Sequence, residues 1–386
     1  MISTLVIKAV RACNLRCPYC YYINEDTQAY GITLSDTLIH RLYQTYGDYA
    51  SGREDAVNLI WHGGEPLILG RRRFQEILDA QAPYFGDAQV RNVVQTNGTL
   101  IDAEWVDFFH DNSVGVGISL DGVRDTHDAM RFDSHDRGTF DRIVEAINLL
   151  ERSGIGVGVL CVAGPEIDGV AFLRLLKELG IHGCDFLIPM TNHAVQRQPG
   201  QEVDMEKVGK VLRDAFLHWV GDDNPEIRVP LFESLILNAL GLRSVCSNAG
   251  ATFEQLETVA VIETNGDICM DVEFGEIDRL AGGDEYRLGA NLADQDFNFA
   301  RVEEMLKSRT EAKGLAETPS ECWPCPARTM CRGSHPGSRY DDLDGSFQHR
   351  SAYCEAMLPL SLEVVDYLDR SGLRPNLIDP RLRTVA

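Results

Sequence analysis

Cys13-x3-Cys17-x2-Cys20 places three thiols within residues 13–20. Thiolates are soft ligands suited to iron–sulfur clusters. A cubane has four irons, so three protein thiolates leave one iron open to a small molecule, much as a catalytic zinc site keeps one position free. Two other chemistries fit the same residues: a zinc site completed by His40 or His62, and three buried structural cysteines.

A second group lies near the other end. Cys322-x2-Cys325-x5-Cys331 followed by Cys354 supplies four thiols, a full set for a closed cluster or a structural zinc. Cys161, Cys184, Cys246 and Cys269 lie between the groups. The first apolar run, Leu5–Val10, is interrupted by Lys8, and no small-residue cleavage site follows it. No apolar run reaches the roughly 18 residues of a membrane span. A cytoplasmic location is therefore expected, and there eleven cysteines point to metal or redox chemistry rather than disulfides. The formal net charge of −23 argues against nucleic acid and anionic membranes as partners and suits solubility or a basic peptide.

The elements that must hold these thiols alternate in the first half. Strand-like runs occur at Leu5–Val10, Val57–Trp61, Val90–Gln95, Val114–Leu120, Val157–Ala163 and Asp185–Pro189. Helical patterns separate them at about Ser35–Tyr49, Arg72–Pro83, Ala103–Asp111, Thr139–Ser153 and Val170–Leu179. Near-continuous apolar strands joined by crossover helices predict an α/β fold with a parallel sheet covered on both faces, a barrel or part-barrel whose site lies at the strands' C-terminal ends. Those ends carry the cysteine loop, Trp61-His62-Gly63-Gly64-Glu65-Pro66, Gln95-Thr96-Asn97-Gly98 and Ser119-Leu120-Asp121-Gly122. Further helices are expected near Val203–Val220, Leu231–Leu240 and Val302–Lys313. Thr258–Glu263 should form a strand that meets a hairpin turn at Asn265-Gly266, with a Gly- and Asp-rich stretch after it. The composition changes at about 230–245, which divides the chain into residues 1–235 and 236–386.

On Cys13-Asn14-Leu15-Arg16-Cys17-Pro18-Tyr19-Cys20-Tyr21 the sequence resembles the radical S-adenosylmethionine (SAM) superfamily. The likeness continues, in order, through Gly63-Gly64-Glu65-Pro66, Gln95-Thr96-Asn97-Gly98, Ser119-Leu120-Asp121-Gly122 and His127-Asp128-x2-Arg131. The resemblance implies a partial (β/α)6 barrel of TIM type. It implies a [4Fe–4S] cluster on Cys13, Cys17 and Cys20 whose open iron chelates SAM, and hydrogen abstraction by a 5′-deoxyadenosyl radical. It assigns Gly63, Gly64 and Glu65 to the SAM amino group, Ser119 to its ribose or carboxylate, Arg131 to the carboxylate and Tyr19 to the adenine surroundings. Asn97 and Asp121 join the cofactor-binding set on the same grounds. A surface ion pair is the plain structural alternative for Arg131.

The C-terminal cysteines resemble the SPASM extension of such enzymes, in which Cys322, Cys325, Cys331 and Cys354 would hold an auxiliary [4Fe–4S] cluster. That pattern commonly supports two clusters. Here Asp271 stands five residues after the hairpin Gly266, where the pattern has a cysteine, and Cys269 falls two residues early. His335 stands where a further cysteine is expected. One auxiliary cluster is therefore expected, with Cys246, Cys269 and His335 left open as ligands of something else.

Two subfamilies share these stretches. Anaerobic sulfatase maturases oxidise a Cys or Ser of a protein to formylglycine. Cyclophane-forming enzymes crosslink side chains of ribosomally made peptides, and they resemble this chain at Glu263-Thr264-Asn265-Gly266-Asp267, Cys331-Arg332-Gly333, Arg339-Tyr340, Phe347 and Ser351-Ala352-Tyr353-Cys354. The second resemblance accounts for the missing cysteines and is preferred. Asp267 or Asp271 would act as base, against the plain reading of both as hairpin residues. A peptide or protein substrate, an electron donor such as flavodoxin or ferredoxin, and a separate peptide-recognition protein are the partners implied. A non-catalytic, metal-stabilised peptide binder is the alternative from another class.

Overall fold

The computed structural model describes residues 1–22, 33–52, 56–86, 88–222, 226–243, 246, 249–250, 253–275, 277 and 285–373. Most of the Gly- and Asp-rich stretch expected after the hairpin lies outside them.

Alternation along the strands decides which side chains face the helices. In β2 (Val57–Gly63) Val57, Leu59 and Trp61 are fully buried on one face. Trp61 meets Phe74 of α2 (Arg71–Asp79) with ring centroids 5.7 Å apart, so this face turns outward to the helix layer. Its neighbour β1 (Thr4–Val10) pairs in parallel with Leu5 opposite Leu59 and Lys8 opposite His62. Lys8 and His62 therefore project to the other face, the barrel interior.

Strands β1, β2, β3 (Val90–Thr96), β4 (Gly115–Ser119), β5 (Val157–Val162) and β6 (Gly183–Leu187) lie side by side in chain order, all parallel. The sheet stays open, with β6 at one edge. It is the partial barrel the sequence implied. The helices between strands begin where short polar side chains cap them: Ser35 before α1 (Asp36–Ala50), Asp102 before α3 (Ala103–Asp111), and Asp168 before α6 (Gly169–Glu178), each accepting a backbone N–H. Between α3 and α6 come α4 (Arg124–Met130) and α5 (Phe140–Arg152).

Two expectations change. The helix predicted over Arg72–Pro83 stops at Asp79, and a separate turn covers Ala82–Phe85. Pro83 cannot continue α2, since its ring would meet the carbonyl four residues back. The strand predicted at Thr258–Glu263, observed as β7 (Val259–Ile262), does not stand apart with its hairpin. It pairs in parallel with β1, Leu5 opposite Ala260 and Ile7 opposite Ile262. β8 (Asp267–Cys269) and β9 (Arg287–Asn291) then extend the same sheet antiparallel, giving nine strands among the described residues. Position 235/236 falls inside α8 (Pro230–Ala239), which follows α7 (Met205–Gly221). After β9 come α9 (Phe299–Ala312), a loop-rich segment and α10 (Cys354–Arg370).

Candidate functional site

The three-cysteine loop leaves the C-terminal end of β1 and is bound at once to the turn after β2. Gly64 N donates to Val10 O at 2.7 Å, and Glu65 N to Ala12 O at 2.8 Å. The two backbones approach so closely that a Cβ on Gly64 would lie 2.1 Å from Ala12 O, and one on Gly63 2.3 Å from Val10 O. Gly63 also sits at φ +131°. These glycines are thus required by the cysteine loop itself, in addition to any approach of a cofactor. Glu65 is fully buried and accepts from Thr96 Oγ1 at 2.7 Å, Asn97 N at 2.8 Å and Leu67 N at 3.0 Å. It braces the Gly63-Gly64 turn against the end of β3.

Asn97, at that end, completes the lacing. Its Nδ2 donates to Asn14 Oδ1 at 2.9 Å and lies 3.8 Å from Cys13 Sγ, while its Oδ1 accepts from Thr99. Burial first, and then the neighbouring negative groups, push Cys13 up to about 12 and Cys17 up to about 11. Thiols so costly to ionise become thiolates readily only when a metal takes the charge, and this donor set fits a cluster with one iron left free.

A second buried unit lies beyond β4. Asp121 accepts from Arg131 Nε at 2.7 Å, from Val162 N at 2.9 Å, and from the Tyr19 hydroxyl. The Arg131 guanidinium lies 5.5 Å from the Tyr19 ring centroid. Burial opposes the Arg131 charge, but Asp121, Tyr19 and Cys17 more than offset it and hold Arg131 above its ordinary range. The expected alternative of a surface ion pair fails, because Asp121 is 1% exposed. Burial, then Arg131, brings His127 down to about 4, so its neutral ring accepts from Asp121 N and reaches Thr139 at 3.1 Å. Thr139 in turn donates to Arg131 O at 2.9 Å. Ser119 accepts from Gln95 Nε2 at 3.2 Å.

Sequence reasoning missed the polar floor of the barrel. Lys8 is fully buried, donates to the Tyr21 hydroxyl at 2.7 Å and lies 3.4 Å from His62 Nδ1. Burial, against the pull of Glu263, Cys20, Asp271 and Cys269, lowers it to about 8. Glu263 accepts from Tyr22 at 3.1 Å and Tyr286 at 2.9 Å, and pairs with Arg11. The available signal was a lysine inside an otherwise apolar strand.

The C-terminal cysteines converge. Cys322, Cys325 and Cys354 all act on Cys331, which burial chiefly raises to about 12. Arg339 is 1% exposed beside them, and its guanidinium donates to Glu317 O at 2.6 Å and to Leu315 O. Burial lowers it to about 10, with Cys322 and Cys331 opposing. Residues that carried the crosslinking resemblance build this frame: Tyr340 and Phe347 pack at 5.1 Å, and Ser351 bonds Ser338 at 2.7 Å.

The two carboxylates expected as base part company. Asp267 is tied into the hairpin, accepting from Asn265 Nδ2 and Asn291 Nδ2, both at 2.8 Å. Asp271 lies near Lys8 and Tyr21, whose ionisation it influences, and 3.8 Å from His335. Cys269 is fully buried and also acts on Lys8, and Cys246 N donates to Ser234 Oγ at 3.0 Å.

The radical SAM superfamily model matches residues 7–179, the stretch that carries the cysteine loop and the three strand-end motifs. A cysteine-type anaerobic sulfatase-maturating enzyme of Clostridium novyi is 32% identical over 310 residues, covering 75% of this chain and 76% of the relative. The chain belongs to the radical SAM superfamily. A serine-type anaerobic sulfatase-maturating enzyme of Bacteroides thetaiotaomicron is a further relative of this radical SAM enzyme, 27% identical over 95% of this chain and 90% of its own length. Among solved structures, anSMEcpe with bound AdoMet and the Cp18Cys peptide shares the fold, with TM-score 0.77, 24% identity, and 95% and 97% of the two chains covered. A [4Fe–4S] cluster and SAM are the cofactors of this superfamily, and a SPASM-like segment follows the barrel. Membership sets aside the non-catalytic peptide binder. Among the described residues, no helix is long and apolar enough to cross a membrane.

Proposed function

We propose that this radical SAM enzyme oxidises a side chain of a ribosomally made peptide, and that the product is a crosslink between an aromatic ring and a nearby β-carbon. The observation that supports the crosslinking branch is the pair Asp271–His335, 3.8 Å apart, at two positions where the SPASM pattern has cysteines. A peptide substrate is supported by the peptide bound in the related anSMEcpe structure.

The residues divide the work. Cys13, Cys17 and Cys20 would hold the cluster that binds SAM, and Cys322, Cys325, Cys331 and Cys354 the auxiliary cluster. When bound, cluster and SAM supply hydrogen-atom abstraction through a 5′-deoxyadenosyl radical. Asp121 holds Arg131 in one orientation and charged, so that its planar fork can take the SAM carboxylate. Gly63 and Gly64 present bare backbone to the amino end, and Tyr19 and Ser119 border the nucleoside. Glu65 and Asn97 keep the loop and the strand ends in register. Asp271, close enough to act on the charge of Lys8, is in this reading the base that takes the substrate proton. Asp267 serves the hairpin.

Formylglycine formation is the second reading, favoured by the maturase relatives. Anaerobically reconstituted protein, SAM and a reductant would be offered two peptides, one with spaced aromatic residues and one with a sulfatase motif. The proposal expects 5′-deoxyadenosine together with an aromatic peptide that loses two hydrogens, resists fragmentation between the joined residues and ignores hydrazine. A hydrazine-reactive aldehyde on the sulfatase peptide, with the aromatic peptide unchanged, would overturn it.

A further inference from the structure

Asp271, Glu273 and His335 meet where the SPASM pattern expects part of a second auxiliary cluster. The ligand atoms of all three lie within 4.8 Å of one another. Asp271 Oδ1 is 3.8 Å from His335 Nε2, and Glu273 Oε2 is 3.0 Å from His335 Nδ1. His335 is fully buried, with the Phe274 ring centroid 5.3 Å away, and Gly337 N donates to its Nδ1 at 3.0 Å. Its Nε2 has no hydrogen-bond partner, whereas Glu273 Oε2 has the ion-pair contact with Nδ1.

Buried polar atoms without partners are rare, because each forfeits its hydration for nothing. One such atom, His335 Nε2 on a fully buried ring, with two carboxylates close by marks a place built for a shared ligand. An iron–sulfur cubane does not fit. Two of the positions where its thiolates would stand are a carboxylate and an imidazole, and Cys269 is not among the donors that lie within 4.8 Å of one another. Two carboxylates and one imidazole form the mixed oxygen and nitrogen set that divalent first-row ions take. The donor atoms lie within 4.8 Å of one another, so an ion with bonds of about 2.1 Å is reached when the Glu273 carboxylate turns from the Nδ1 side of the ring toward Nε2.

We propose that Asp271, Glu273 and His335 bind a single divalent metal ion in place of the second auxiliary cluster. Nε2 gives its lone pair to the ion, so the ring proton sits on Nδ1, which gives up the Gly337 contact, and the Glu273 carboxylate turns from beside Nδ1 to the ion. The ion takes Asp271 Oδ1, the oxygen facing His335, and leaves Oδ2 to accept a proton. Tying Asp271, just after β8, to His335 in the loop-rich segment gives this interface the fixed link that a cluster would otherwise provide.

The test measures metal and acid-labile sulfide in the full-length reconstituted protein after exchange into metal-free buffer and titration with Mn²⁺ or Zn²⁺. The proposal expects one non-iron ion per chain beyond the iron matched by sulfide, and a bound Mn²⁺ resonance distinct from that of free Mn²⁺. Glu273→Gln and Asp271→Asn should weaken Mn²⁺ binding at least about tenfold while cluster absorbance and the far-ultraviolet spectrum stay unchanged. Wild-type protein that binds no such ion would make the triad a buried ion pair and overturn the proposal. Extra iron with matching sulfide, lost in His335→Ala, would overturn it in favour of a third cluster. Peptide product is measured separately, so failure of the crosslinking reading leaves this result standing.

Discussion

Arg131 Nε donates to Asp121 Oδ2 at 2.7 Å in a part of the barrel from which water is nearly excluded, and Tyr19 donates to the same oxygen. The residues belong to three separate motifs, on the cysteine loop, at the end of β4 and after α4. One carboxylate therefore fixes the relative position of three sequence segments. Removing its charge leaves a buried guanidinium uncompensated, so Asp121→Asn should lose about 3–5 kcal/mol of stability in urea denaturation. Arg131→Lys keeps the charge but loses the fork, and should weaken SAM binding about tenfold or more in equilibrium dialysis with a smaller loss of stability.

Gly64→Ala tests whether the GGEP turn positions the cysteine loop. The added methyl would lie 2.1 Å from Ala12 O and 2.5 Å from Arg11 O, both rigid backbone. The loop must move, although no thiol is altered. Iron per chain after reconstitution should fall at the N-terminal cluster, and stability should drop by more than about 1 kcal/mol. Full iron content in this variant would show that the loop tolerates the shift.

Much of this arrangement was legible before the structure. Strands β1–β6 were readable from continuous apolar runs, and the strand-end motifs from their order. What escaped depends on distant partners. The pairing of β7 with β1 joins residues far apart in sequence, and a run such as Val259–Ile262 carries no mark of its neighbour. Lys8 read as an interruption of an apolar stretch, because its partners Tyr21 and His62 become visible only once β1 and β2 are in register. Asp267 and Asp271 were indistinguishable as hairpin carboxylates. Only the positions of Asn291 and His335 separate a turn residue from a site residue.

Asp185, on β6, gives a pH dependence. Burial raises its pKa to about 7, although the N–H groups of Leu231 and Phe186 pull the other way. An unfolded aspartate titrates near about 4. Between these values the folded chain keeps a proton that the unfolded chain releases, so this group's contribution to stability falls as pH rises from about 4 to about 7 and is level above. Asp185→Asn removes that slope while keeping an oxygen for Leu231 N. Urea midpoints across pH of about 5–8 should therefore show the variant gaining on the wild type as pH rises, with the gain complete near neutrality.

The two cysteine groups should fail independently. Cys17→Ala removes a ligand of the N-terminal loop, which is anchored on a sheet whose hydrogen bonds do not depend on metal. Its iron should fall by the content of one cluster, 5′-deoxyadenosine formation should cease, and the fold should persist. Cys331→Ala acts where regular structure is sparse: between Lys313 and Tyr353 the chain is mostly turns and short helical pieces. Buried Arg339 there faces Cys322 and Cys331, and its positive charge is best balanced when those sulfurs are thiolates held by metal. Loss of the cluster should therefore loosen residues 314–353. Limited proteolysis of Cys331→Ala, or of wild type stripped with a chelator, should cut within that stretch while Cys17→Ala stays resistant there. Equal resistance in all three samples would show that protein contacts alone hold the segment.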